Sequence, residues 1–226
     1  MIFDKPKIYI GPRNYSSWSM RPWLALFWSG LEFDEVLIDL DKEGYGKRQI
    51  KEVLEVSPTG TVPALKHGDL MVWDSLAICE YIEEIAPNEL WPMDGAQRAL
   101  ARSLVCEMHA GFGEIRNDFT HNIRRQIPTP PISEAALIEI KRLDYIFSSQ
   151  LEKFGGPYLF GEKPTIADAF YTPMAVRCRT YSLPLSEKAA KMRDNLLSSS
   201  GFLKWAELAN KEWQPFKSAP HDSVYE

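Results

Sequence analysis

The segment from Lys7 to Leu40 most restricts what this chain can fold into. An apolar run, Lys7-Ile8-Tyr9-Ile10-Gly11, reads as a strand over residues 7–11, and residues 18–30 read as an amphipathic helix ending at Gly30. Phe33 to Leu40 alternates around Val36 and Ile38 and reads as a second strand. Strand, helix and strand with short connections imply parallel pairing and a right-handed crossover. Between the first two elements the chain stops at Gly11-Pro12 and restarts behind Asn14-Tyr15-Ser16-Ser17-Trp18-Ser19. Unpaired N–H groups and the helix dipole at such a start suit a bound anion. Ordinary N-capping by serine accounts for the same residues.

Downstream, Lys47 to Val56 has helical spacing at Ile50, Val53 and Leu54. Val62-Pro63-Ala64-Leu65 and Leu70-Met71-Val72 flank His67-Gly68-Asp69 and read as a hairpin. Asp74-Ser75 opens another helix, with Leu76, Ile78, Cys79, Ile82 and Ile85 on its buried side. The order βαβ then ββα predicts a thioredoxin-like α/β domain over residues 1–86.

Composition then changes. A connector at 87–93, carrying Pro87 and Pro92, leads to a sequence in which strands are hard to find, so residues 94–226 are predicted to form an all-α domain. A helical pattern runs over 94–124, with a kink expected near Gly111 and Gly113; Ile127 to Pro131 breaks the chain. Ser133 caps a helix to Lys153 whose stripe is Leu137, Ile140, Leu143, Ile146, Phe147 and Leu151. Thr165 and Asp168 have capping-box spacing, helices follow over 187–198 and 201–212, and the tail from Pro215 is expected to be loosely held.

The net charge of −5 gives no electrostatic footing for nucleic acid. Cys79, Cys106 and Cys178 are far apart and form no CxxC pair, which argues against a disulfide scaffold or zinc site and suits a reducing compartment. No basic region followed by an apolar run opens the sequence, and no apolar run approaches the roughly 20 residues that span a bilayer. A soluble, cytoplasmic protein without membrane contact is therefore expected. His67, His109, His121 and His221 lack ligand spacing, and neither HExxH, Gly-x-Ser-x-Gly, a P-loop nor GxGxxG occurs, so no metal is expected.

Three segments carry a family resemblance. Ser57-Pro58-Thr59-Gly60-Thr61-Val62-Pro63-Ala64-Leu65 resembles the N-P-x-G-x-V-P-x-L segment of the soluble glutathione S-transferase superfamily. Trp73 to Ile82 is similar to its E/Q-S-x-A-I-x-x-Y-L helix start, and Gly161 to Ala169 to its helix-six capping segment. Ser16-Ser17-Trp18-Ser19 with Arg21 resembles the S-S-C-x-x-R opening of zeta-class members, with Trp18 replacing the cysteine.

The resemblance implies a glutathione-dependent enzyme with a serine hydroxyl that stabilises the thiolate. Ser16 aligns with the activating serine and Ser17 is the fallback; Tyr15 and Tyr9 are rival hydroxyls. It further implies a cis peptide at Val62-Pro63, freeing the Val62 backbone for the peptide backbone of glutathione, with Thr61 and Trp18 beside it. Asp74 would face the γ-glutamyl ammonium, and Ser75 would take the α-carboxylate. Arg48 or Gln49 would reach the glycyl carboxylate. His109, Phe112 and Arg116 would shape the second-substrate pocket, while Thr165, Asp168 and Arg21 are read as structural. A homodimer is implied as well. The activities that follow are transfer to a small hydrophobic electrophile, isomerisation or peroxidation as in maleylacetoacetate isomerase-like members, or a non-catalytic binding or regulatory role on the same fold.

Overall fold

A computed structural model describes residues 5–86 and 89–212. Its first part is a four-stranded mixed sheet ordered β2-β1-β3-β4. Strand β1 (Lys7–Ile10) pairs in parallel with β2 (Asp34–Leu37) and antiparallel with β3 (Ala64–His67), which forms a hairpin with β4 (Leu70–Trp73). Alternation along β1 decides which side chain faces which layer. Ile8 and Ile10 enter the main core, where Met20, Trp23 and Leu24 of α1 (Ser17–Ser29) and Ile78 and Ile82 of α3 (Ser75–Ile85) meet them. Tyr9 packs on the opposite side, against a small cluster of Ile38, Ile50 and Val53 beside the one-turn α2 (Lys51–Leu54).

Among the described residues six helices follow: α4 (Gly95–Ala110), α5 (Gly113–Asp118), α6 (Glu134–Phe154), α7 (Ile166–Thr180), α8 (Glu187–Leu197) and α9 (Ser200–Lys211). Helix α1 packs against α3 in its own domain and against α7 and α9 in the helical one, so it belongs to both. Accordingly, it is buried almost all round from Ser17 to Leu26, with Trp18 the exception. A thioredoxin-like domain joined to an all-α domain is the fold the sequence implies. The tail from Pro215 lies outside the described residues, and no helix among them is long and apolar enough to cross a membrane.

The helical pattern at 94–124 is a break and not a kink. Gly111 is extended, and a Cβ there would lie 2.8 Å from the Glu107 carbonyl oxygen. Phe112 then turns left-handed at φ 57° and starts α5. The Arg116 side chain reaches back over the gap, its Nε donating to Gly111 O at 3.0 Å and its Nη2 to Met108 O. It thereby satisfies carbonyls that a terminating helix leaves unpaired.

Asp168 has the structural part assigned to it. Fully buried in the first turn of α7, it accepts from Leu159 N–H (2.8 Å), Thr165 N–H (2.7 Å) and the Thr165 hydroxyl (2.8 Å). Burial pushes its carboxyl up to about 6 against the lowering effect of these donors. Asp168→Ala strands three buried donors and is expected to cost about 3 kcal/mol, read as a lower urea midpoint at unchanged slope.

Candidate active site at the N-terminus of α1

The site grows from the turn between β1 and α1. Gly11 is pressed against Leu40, Val62 and Ser16; a Cβ there would sit 2.7 Å from Leu40 Cδ1, so a larger residue would have to push the Leu40 side chain aside. The Pro12 carbonyl accepts from Tyr15 N–H (3.0 Å) and Ser16 N–H (2.9 Å), which turns the chain into the helix. Ser16 is the N-cap of α1. Its Oγ accepts from Ser19 N–H at 3.4 Å and lies 2.8 Å from Ser19 Oγ, which also accepts from Gly11 N–H at 3.2 Å.

The helical domain grips this turn just upstream of Ser16. Asn14 Oδ1 accepts from Ile123 N–H (3.0 Å) and Arg124 N–H (3.1 Å), and the Asn14 carbonyl lies 3.2 Å from His121 Nδ1. The buried Arg13 side chain pairs with Glu35 of β2 and with Glu212 just past α9, while its carbonyl accepts from Trp205 Nε1 at 3.1 Å. Sequence reasoning did not single out either residue. Asn at a helix start is a common cap, and its use to hold a segment more than a hundred residues away leaves no local signal.

In front of the turn opens a cavity of about 350 Å³, lined among others by Tyr15, Ser16, Ser17, Trp18, Arg48, Thr61 and Val62. Trp18 is 38% exposed on its wall. The Arg21 guanidinium lies 4.0 Å from the Trp18 ring and that of Arg116 5.0 Å, both in cation–π range, and the His109 ring meets its edge at 5.4 Å.

Residues 15–85 match the family description "Glutathione S-transferase, N-terminal domain", and residues 130–212 match "Glutathione S-transferase, C-terminal domain". A carnation (Dianthus caryophyllus) protein, "Glutathione S-transferase 1", is 30% identical over 175 residues, covering 76% of this chain and 77% of its own. The chain belongs to the glutathione S-transferase family. It is also 29% identical to rat (Rattus norvegicus) "Maleylacetoacetate isomerase" over 188 residues, 82% of this chain and 84% of that one. A solved Burkholderia glutathione transferase homolog, titled as having bound glutathione, shares the fold at TM-score 0.69 and 24% identity, covering 92% of this chain and all of its own.

Against that family the sequence-predicted residues fall into groups. Ser16, Ser17, Trp18, Arg48, Thr61 and Val62 all line the one cavity, and the Val62–Pro63 peptide bond is cis. Ser17 differs from Ser16 in its surroundings. It is buried, and its Oγ accepts from Arg177 Nη2 at 3.4 Å. Tyr15 is on the wall and Tyr9 is in the sheet.

Asp74 and Ser75 open α3. Asp74 holds φ 76°, a strained backbone for a non-glycine residue, and its Oδ1 accepts from Leu76 N–H (2.8 Å) and Ala77 N–H (3.2 Å). Its Oδ2 lies 3.2 Å from His109 Nε2, across the two domains. Burial holds His109 below its ordinary value, with the Asp74 charge opposing. Phe112 is buried edge-on to Tyr171 and does not line the cavity, because the break after α4 turns it inward.

Beneath the turn, buried His121 is held well below 6.5 by desolvation and the nearby Arg177 charge, the contact with Asn14 O pulling the other way. The unfolded chain takes up a proton near pH 6.5 while the folded one does not. Stability is therefore full above that pH and is lost as pH falls below it. The urea midpoint is expected to drop between about pH 7.5 and pH 5.5, and His121→Gln is expected to flatten that drop relative to wild type.

Proposed function

We propose that this protein is a glutathione transferase in which the Ser16 hydroxyl holds the glutathione sulfur as thiolate for attack on a small hydrophobic electrophile. The observation that carries this is the position of Ser16, which caps a helix start whose other face is a cavity. A free thiol ionises near 8.5, so little thiolate exists at neutral pH. An O–H donor at a helix N-terminus lowers that value through a charge-assisted hydrogen bond and the helix dipole. Ser19 supports the step. When the Ser16 proton turns to the sulfur, the Ser19 hydroxyl, still fixed by Gly11 N–H, can reverse the 2.8 Å contact and donate to Ser16 Oγ. Ser16 stays a donor throughout and forms no covalent bond. Ser17, already engaged by Arg177, is less suited to the part.

The remaining groups fit the rest of the tripeptide. The Val62 N–H, beside a cis Pro63, takes no backbone partner among the described residues and suits pairing with an added extended backbone. Thr61 and Trp18 flank it, and Arg48, exposed on the cavity wall, suits the glycyl carboxylate. At the other end, Asp74 faces the γ-glutamyl ammonium and Ser75 the α-carboxylate. In this assignment residues 1–86 bind glutathione, and His109 and Arg116 of the 94–226 domain border the second substrate.

A second reading, a glutathione-dependent isomerase, uses the same thiolate. It is favoured by the Arg116 guanidinium over Trp18, which would receive a negatively charged substrate, and by the similarity to the rat isomerase. A homodimer and a cytoplasmic setting go with either reading. They are supported by the exposed Leu70 and Trp73 on β4 and by three cysteines that are all free thiols.

Calorimetric titration of glutathione, followed by thiolate absorbance of the complex against pH, tests the main reading. Wild type is expected to bind and to ionise the bound thiol well below the free value. Ser16→Ala is expected to bind but to titrate about one to two pH units higher. A wild-type complex whose thiol titrates like free glutathione would remove the mechanism.

A further inference from the structure

The Ser16 hydroxyl is only lightly fixed by its own helix. Among the described residues its side chain bonds to Ser19 alone, and the cap contact from Ser19 N–H, at 3.4 Å, is longer than an ordinary N–H···O bond. The residues on either side of it are fixed from outside, and both by α7. Two positions before Ser16, Asn14 is 3% exposed and engaged at both of its oxygens. Its side-chain oxygen accepts from Ile123 N–H and Arg124 N–H. Its carbonyl, which can only accept, takes the Nδ1–H of His121 at 3.2 Å. That segment is bolted in turn to the last turn of α7. Thr180 Oγ1 donates to Asn122 O at 2.7 Å, Arg179 Nη2 to Ile123 O and Arg177 Nη1 to Phe119 O. One position after Ser16, Ser17 Oγ accepts from Arg177 Nη2, the other branch of the same guanidinium.

We propose that Asn14 is a positioning residue for the reaction: it carries the hold of α7 onto the turn and so sets where the Ser16 hydroxyl meets the sulfur. This rests on the glutathione reading above and gives a part to a residue that does not line the cavity. The physical requirement is rigidity. A donor favours a thiolate only if it already stands at bonding distance and direction when the charge forms, and a misplacement of about 1 Å forfeits much of the effect. Asparagine suits the joint because its amide oxygen has two lone pairs, and two backbone N–H groups converge on it here. With Asn14 and Ser17 both tied to α7, the two residues between them have little freedom. Ser16 is the one whose side chain stays out of that clamp and on the cavity wall. An alanine at position 14 removes the shared acceptor and leaves Ser16 to its long local cap bond.

The test reads the sulfur separately from the rest of the ligand. Thiolate absorbance of the glutathione complex is titrated against pH in wild type, Asn14→Ala, Ser16→Ala and the double variant. Calorimetry gives each protein's affinity for S-methylglutathione, whose sulfur cannot ionise, with circular dichroism and thermal melting as checks on folding. Asn14→Ala is expected to raise the midpoint of the bound thiol by about half to one pH unit while leaving S-methylglutathione within about twofold. In the Ser16→Ala background the same change is expected to move the midpoint by less than about 0.2 pH units, because Asn14 acts through Ser16. Asn14→Ser, whose shorter hydroxyl still accepts, is expected to fall between, and it carries the test if the alanine variant does not fold. An unchanged midpoint in Asn14→Ala, or an equal shift with and without Ser16, would overturn the proposal and leave the glutathione reading standing. Weakening of S-methylglutathione by roughly tenfold or more would make Asn14 a scaffold for the whole cavity and would likewise overturn it. If the wild-type complex titrates like free glutathione, the glutathione reading fails and the proposal with it.

Discussion

The first turn of α1 depends on being held from two sides. Its residues Ser16 to Trp18 line a cavity, and only a segment that cannot fray will keep them there. The local hydrogen bonds of the turn, from Tyr15 and Ser16 to the Pro12 carbonyl, would not suffice for this alone. The helical domain supplies the remainder through Asn14, which takes two backbone N–H groups of the α5–α6 connection, and through Arg13, fixed between β2 and the end of α9. In the proposed mechanism the all-α domain thus contributes without touching the sulfur. Its burial of α1 and its grip on residues 13 and 14 fix the turn that carries Ser16, as a preorganised donor requires.

The same arrangement explains why charge accumulates where it does. Helix α1 runs between the domains, so a long polar side chain on it has to be buried, and Arg21 is. Trp18 lies over that guanidinium at the position where the similar zeta-type motif carries cysteine. An indole offers a cation a face and a thiol does not. The substitution therefore changes both the cavity wall and the shielding of the charge behind it, while leaving the neighbouring serines in place.

Much of this was legible in the sequence, and the reasons are physical. The apolar alternation of β1 and β2 and the hairpin around Gly68 follow from periods and turn chemistry that act over a few residues. Ser16 could be found because a helix cap has a local signature. Thr165 and Asp168 were found for the same reason. The break after Ala110 was harder to see. Glycine inside an apolar helical pattern predicts weakness, but only the left-handed Phe112 and the returning Arg116 make that weakness a stop. Phe112 was consequently expected near the pocket and is in the core. The functions of Arg13 and Asn14 come from partners between 22 and 199 positions away, which no local pattern encodes. In sequence Ser16 was preferred to Ser17 only through the family resemblance. They separate only because Arg177, 160 positions on, reaches one of them and not the other.

The central claim is that a thiolate is held at Ser16 while the opposite end of the ligand is held at the start of α3. A crystal structure of the protein soaked with glutathione tests it most directly. The account predicts the sulfur within hydrogen-bonding distance of Ser16 Oγ, with the α-carboxylate on the Ser75 hydroxyl and N–H. A sulfur seated on Tyr15 or Ser17, or a γ-glutamyl end that leaves Ser75 untouched, would contradict it.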